Sequence, residues 1–116
     1  MHTLRLCSLV AAAMLLASSA AHARKLTQSD ILGTWCGNEA KYVFTREALT
    51  VTWYGKADRR VLPINSWDFS DTWINVIWSP GHNTVFGEFS TDDRSMAQLA
   101  NTKGDMGPRR PFHRCK

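Results

Sequence analysis

Beyond residue 41 the chain is a succession of short apolar alternations, broken by turn-forming residues roughly every ten positions and nowhere sustaining a helical period. Tyr42 to Thr45 and Leu49 to Tyr54 flank Arg46-Glu47-Ala48 as a hairpin, with Tyr42, Phe44, Leu49, Val51 and Trp53 on one face. Thr50, Thr52 and Tyr54 take the other face, and Gly55-Lys56-Ala57-Asp58 is the next turn. Arg60 to Phe69 is extended but carries Pro63, which cannot donate to a ladder and marks an edge, a bulge or a strand entry.

Thr72 to Trp78 presents Ile74, Val76 and Trp78 on one side and Trp73 and Ile77 on the other. Ser79-Pro80-Gly81-His82-Asn83 turns the chain into a strand from Val85 to Phe89, and Thr91-Asp92-Asp93-Arg94 turns it into another from Ser95 to Ala100. Asn101 to Pro111, with two glycines and two prolines, reads as a loop before a last short strand from Phe112 to Cys115. Ahead of them all, Ser29-Asp30-Ile31-Leu32-Gly33 offers a cap, two apolar residues and a glycine stop, enough for one helical or 3-10 turn. The pattern specifies an all-β fold: a small antiparallel up-and-down β-barrel of about six to eight short strands, the alternative being a sandwich.

Met1 to Ala23 carries one cation, Arg5, then an apolar run from Leu6 to Ala17 and a small-residue ending at Ala21-His22-Ala23. That order is a secretory signal peptide, with cleavage expected after Ala23. The apolar run is short of the roughly 20 residues that span a bilayer, so no stable membrane span is expected after cleavage. Residues 24–116 then form a single β-barrel domain, periplasmic or secreted and expected to be monomeric.

Loss of Arg5 with the signal lowers the formal net charge from +4 to +3. So mild an excess, in an exported chain, argues against nucleic acid as a partner. The excess is uneven: Lys103, Arg109, Arg110, Arg114 and Lys116 crowd the end, opposed by Asp105. Such a patch suits an anionic polysaccharide, a phospholipid or an acidic protein, or is a solvated loop.

Cys7 leaves with the signal, and the two remaining cysteines, Cys36 and Cys115, allow one pairing in an oxidising compartment. A bridge between them closes a loop of about 80 residues, which the chain-entropy relation values at about 4–5 kcal/mol.

Gly33-Thr34-Trp35 just after a helical turn, a meander of strands and Arg114 near the end resemble the calycin superfamily of lipocalin-like barrels. The resemblance implies that Trp35 plugs one barrel end with Arg114 packed across its ring, an arrangement worth about 0.5–2 kcal/mol. It also implies a disulfide that locks the seam between first and last strands. Lipocalins are considerably longer, and bacterial metalloprotease inhibitors and periplasmic lysozyme inhibitors are nearer in size. A chain this short with five tryptophans is expected to fill its barrel with side chains. The ending Arg109-Arg110-Pro111-Phe112-His113-Arg114-Cys115 is similar to small exported proteins of Gram-negative, particularly rhizobial, bacteria.

Trp53 and Trp78 alternate with the core positions, whereas Trp67 and Trp73 flank a turn and are candidates either for packing or for stacking on a sugar or a partner. Arg109 and Arg110 form the one concentrated positive site, for a partner's anion or for capping loop carbonyls. His113 and Cys115 lack the further ligands of a metal site, and Asp68, Asp71, Asp92 and Asp93 fall in or beside turns, where aspartate bonds locally. The resulting expectation is a non-enzymatic binding module without cofactor, possible partners being an envelope or extracellular protein or a polysaccharide. The alternative is a small carrier of an apolar ligand.

Overall fold

The computed structural model describes residues 24–78, 82–100 and 106–116. The segment 1–23 expected to be a signal peptide, the residues Ser79, Pro80 and Gly81 expected in a turn, and Lys103 and Asp105 of the basic tail lie outside the described residues.

Eight antiparallel strands form the barrel: β1 (Gly33–Gly37), β2 (Ala40–Phe44), β3 (Ala48–Trp53), β4 (Arg59–Phe69), β5 (Trp73–Trp78), β6 (His82–Gly87), β7 (Ser95–Ala100) and β8 (Met106–Arg114). Each pairs with the next in sequence and β8 pairs back onto β1, so the sheet closes into a barrel. The Cys36–Cys115 disulfide ties the seam, its Cα atoms 5.2 Å apart.

Alternation sets what fills the lumen. Tyr42, Phe44, Leu49, Val51, Ile74 and Val76 are buried, and their out-of-phase neighbours Lys41, Thr50 and Asn75 stand on the outer face. Phe44 and Phe86 meet edge to face, 5.2 Å between centroids and 90° between planes. In β4 the register shifts between Ile64 and Ser66, just after Pro63. The bulge lets Leu62 and Ile64 face inward on one side of it and Trp67 and Phe69 on the other, although the spacing from 64 to 67 is odd.

Four local expectations are corrected. The single turn is a 3-10 turn at Gln28–Asp30, one residue earlier than the Ser29 start, because the Thr27 N–H is taken by Asp30 Oδ2 at 2.8 Å; Gly33 opens β1 instead of ending the turn. Strand β6 begins at His82 and not Val85, since β5 continues to Trp78 and its ladder recruits His82 and Asn83. Phe89 falls outside β6 because Glu88 adopts φ 56° and turns the chain away.

The fourth is the largest. Much of the segment expected to be a loop before Phe112 is β8, which runs from Met106 despite Gly107, Pro108 and Pro111. Strand β1 pairs with β8 only over Arg114 to Phe112, so Pro111 has a ladder partner on the β7 side alone, opposite Ala97, and Pro108 falls where the β7–β8 register shifts between Gln98 and Ala100. That half of the strand is edge-like, the setting in which a missing N–H is tolerated.

The odd-numbered strands all run in one direction, which separates the connections into two sets. Those after β2, β4 and β6 gather at one end with the segment 24–32 and Cys115. The C-terminal ends of β1, β3, β5 and β7 gather at the other end.

Candidate functional site

The end that holds both described termini is sealed. Trp35 is fully buried, and its indole N–H donates to the Ile31 carbonyl at 2.8 Å. The Arg114 guanidinium carbon stands 3.8 Å from the Trp35 ring centroid. Its Nη1 donates to Leu32 O at 2.6 Å, and its Nη2 to Asp30 O at 3.2 Å and Asp93 Oδ1 at 3.0 Å. Gly33 makes room: a Cβ there would lie 2.8 Å from Arg114 Nη1, and its φ of +113° is one that side-chain-bearing residues rarely adopt.

Among the described residues, the opposite end is open. A cavity of about 210 Å³ penetrates the lumen there, walled by Tyr42, Trp53, Arg60, Trp78, Gln98 and Arg110 among others. The expectation of a filled interior therefore holds only for the half of the barrel beside the plug. There Trp35, Phe44, Phe86, Ile74 and Met96 leave no exposed surface of consequence, whereas the mouth half carries long polar side chains that line the lumen without closing it. A second hollow of about 310 Å³ adjoins the mouth between the β1–β2 turn and β8, and shares Tyr42, Trp53 and Arg110 with the first.

The two arginines reach the mouth from opposite walls. Arg60 pairs in register with Val51 on β4, in phase with Leu62, and Arg110 pairs with Gln98 on β8, in phase with Phe112. Strands β4 and β8 are four apart in an eight-strand ring and so face each other across the lumen. Among the described residues neither guanidinium has a carboxylate partner, in contrast to Arg24, Arg109 and Arg114, each of which is ion-paired. Among the described residues no carboxylate lines the inner cavity; Glu39, at the rim, borders only the outer hollow.

The polar floor of the mouth is internally satisfied. Tyr42 donates its hydroxyl proton to Gln98 Oε1 at 2.8 Å, and Gln98 Nε2 donates to Ala100 O at 3.1 Å. Trp78 donates its indole N–H to Thr84 Oγ1 at 2.8 Å. Burial raises the Tyr42 phenol above its ordinary pKa, and the nearby positive charge of Arg110 pulls partly against that rise. The phenol thus stays neutral and acts as a fixed dipole at the edge of a positive opening.

Of the residues singled out from sequence, Arg110 alone of the binding-surface set reaches the mouth. Arg109, one position out of phase, projects from the outer face and pairs with Glu88, Nε to Oε1 at 2.7 Å. Trp67 is half-buried near the plug end, stacked on Phe69 at 6.0 Å with its N–H toward the Arg46 carbonyl at 3.4 Å. Trp73 is half-buried on the outer face of β5, beside Val85 and Leu99. Thus Trp67, Trp73, Arg109 and Arg110 are not brought together as one surface, and Gly33, Trp35 and Arg114 are.

Sequence reasoning passed over Arg60 and Gln98. Each occurs in phase with an apolar alternation, Arg60 with Leu62 and Ile64, Gln98 with Met96 and Ala100. A long polar residue on an inward phase near a strand end was the available signal.

His82 and His113 are exposed on separate strands, and Cys115 is committed to the disulfide. Among the described residues no group of three or more His, Cys, Asp or Glu is placed to hold a metal ion, and no helix is long and apolar enough to cross a membrane. Comparison with protein-family models, curated proteins and solved structures finds no match to this chain.

Proposed function

We propose that this is an exported, non-enzymatic binding module that engages its ligand, or a projecting group of its partner, at the open end of the barrel. The observation that carries the reading is the asymmetry of the two ends. One is shut by Trp35 and Arg114 and cross-linked by Cys36–Cys115, while the other opens into a polar and aromatic cavity. A concave site with a few convergent polar groups on a rigid frame is the usual form of a binding pocket.

The mouth's side chains are groups that hold a ligand: two guanidiniums, two indole rings, a neutral phenol, and an amide already engaged. A carrier of a wholly apolar ligand is the less supported alternative, because Arg60 and Arg110 would have to be desolvated against hydrocarbon. The Gly33, Trp35 and Arg114 cluster supports kinship with calycin-type barrels, and the disulfide favours a periplasmic or extracellular home.

Tryptophan emission is the test, since Trp53 and Trp78 line the mouth. The protein is titrated with a panel of muropeptides, acidic peptides and small aromatic anions. A saturable change with at least one of them is expected, and an unchanged spectrum across the panel contradicts the reading.

A further inference from the structure

We infer that the occupant of the mouth is a small organic anion, a carboxylate or phosphate head group on a flat apolar body, held between Arg60 and Arg110. The inference rests on the reading of the mouth as the binding end. Two positive side chains project toward one cavity from facing walls, with no carboxylate among the described residues on that cavity's lining. Like charges so placed repel each other, and the repulsion is relieved when an anion is shared between them.

Guanidinium is the cation suited to this, since its planar fork meets carboxylate or phosphate oxygens with paired N–H donors. The Tyr42 hydroxyl proton is already donated to Gln98 and its oxygen is an acceptor beside Arg110, so the guanidiniums are the donors left for the anion. Below the head group the walls become aromatic and aliphatic: Trp53, Trp78, Leu49, Val51 and Phe86. A planar body can stack there.

Size narrows the class. At about 30 Å³ per water, a cavity of about 210 Å³ has the volume of about seven waters. That accommodates one ring with its head group and not the long apolar ligand of a larger barrel. The outer hollow, which shares Arg110 and Trp53, gives a longer ligand somewhere to continue.

The test uses the disulfide-bonded protein and defined probes: phenylacetate, phenyl phosphate, inorganic phosphate, and the neutral phenylacetamide. Calorimetry gives affinity, and the indole N–H resonances of Trp53 and Trp78 report the place. At least one of the two aromatic anions is expected to bind with shifts at both indoles. Phenylacetamide and inorganic phosphate should bind about tenfold more weakly or worse, the scale of a lost charge-assisted hydrogen bond. Whichever of phenylacetate and phenyl phosphate binds more tightly identifies the head group.

Arg60→Met and Arg110→Met should each weaken the anion about tenfold, whereas Arg24→Met, at the plug end and ion-paired with Asp30, leaves it unchanged. Arg60→Lys and Arg110→Lys keep the charge and serve where a methionine variant fails to fold; they should retain part of the affinity and its salt sensitivity. Phenylacetamide binding as tightly as phenylacetate, with shifts at Trp53 and Trp78, overturns the anion inference and leaves the mouth as the binding end. Anion binding that shifts Trp67 or Trp73 and neither mouth indole overturns both. No binding by any probe overturns the inference, and the wider panel of muropeptides and peptides then judges the mouth.

Discussion

Arg114 lies over Trp35 with its guanidinium carbon 3.8 Å from the ring centroid, and the same guanidinium donates to the carbonyls of Leu32 and Asp30 and to the Asp93 carboxylate. One side chain from the last strand thus covers the indole that plugs the barrel and satisfies the chain that leads into the first strand. Its planar shape matters as much as its charge, because a lysine cannot cover the ring and reach three acceptors together. Arg114→Met should cost about 2–3 kcal/mol, combining charge-assisted hydrogen bonds and the ring contact. Arg114→Lys should recover less than half of that. Urea denaturation checks both, and a lysine variant as stable as wild type would show that charge alone is required.

Gly33 and Gly55 provide a matched pair. Both have positive φ, +113° and +76°, but a Cβ on Gly55 meets nothing within 4 Å, whereas one on Gly33 meets Arg114 Nη1 at 2.8 Å. Gly55→Ala should cost about 1–2 kcal/mol from backbone conformation alone. Gly33→Ala should cost more, since it also displaces the guanidinium from Trp35. Equal shifts in melting temperature would contradict the close-approach account.

The Tyr42–Gln98 hydrogen bond spans the floor of the mouth between two buried side chains. Tyr42→Phe leaves Gln98 Oε1 without its donor and should cost about 1–3 kcal/mol. Gln98→Leu removes the stranded Oε1 while giving up the Gln98 Nε2–Ala100 O bond, so Tyr42→Phe combined with Gln98→Leu should cost less than the sum of the two single variants. A double-mutant cycle measures the coupling, and strictly additive losses would contradict it.

Acid acts on the fold through Asp30. Hydrogen bonding from Arg24 is the main reason its carboxyl is held below the ordinary carboxylate pKa, with the Thr27 N–H and hydroxyl and the charge of Arg24 adding to the effect and partial burial opposing it. A lowered folded value means the contribution is complete above the unfolded pKa, about 3.9, and is lost as pH falls through the folded value. Because Arg24 is largely exposed, the contribution is modest and weakens with salt. Asp30→Asn should therefore be less stable than wild type near pH 7, with the gap closing at acid pH. A gap of the same size at pH 3 and pH 7 in urea midpoints would contradict this.

The barrel was legible in the sequence wherever alternation was uninterrupted, as from Tyr42 to Trp53 and from Ile74 to Trp78. So was the pairing of Cys36 with Cys115, since the two cysteines that follow the expected signal peptide permit only one pairing. Strand β8 was not, because local composition at Gly107, Pro108 and Pro111 signals a loop, and only pairing with β7 makes an extended segment there favourable. The Glu88 turn was equally hidden, since glutamate carries no local preference for positive φ. At the site, Arg110 drew attention through its neighbour Arg109, although the two point to different faces. Arg60 and Gln98 needed the eight-strand ring, which places β4 across from β8, before their inward phase acquired meaning.

The claim that the open end is the binding end is tested most directly by the five tryptophan indole N–H resonances of the disulfide-bonded protein during titration with the aromatic anions, peptides and muropeptides. The account predicts that Trp53 and Trp78 move together on saturation while Trp35, its N–H held by Ile31 behind the plug, stays fixed. Saturable binding that shifts Trp73 or Trp67 and leaves Trp53 and Trp78 in place would contradict it.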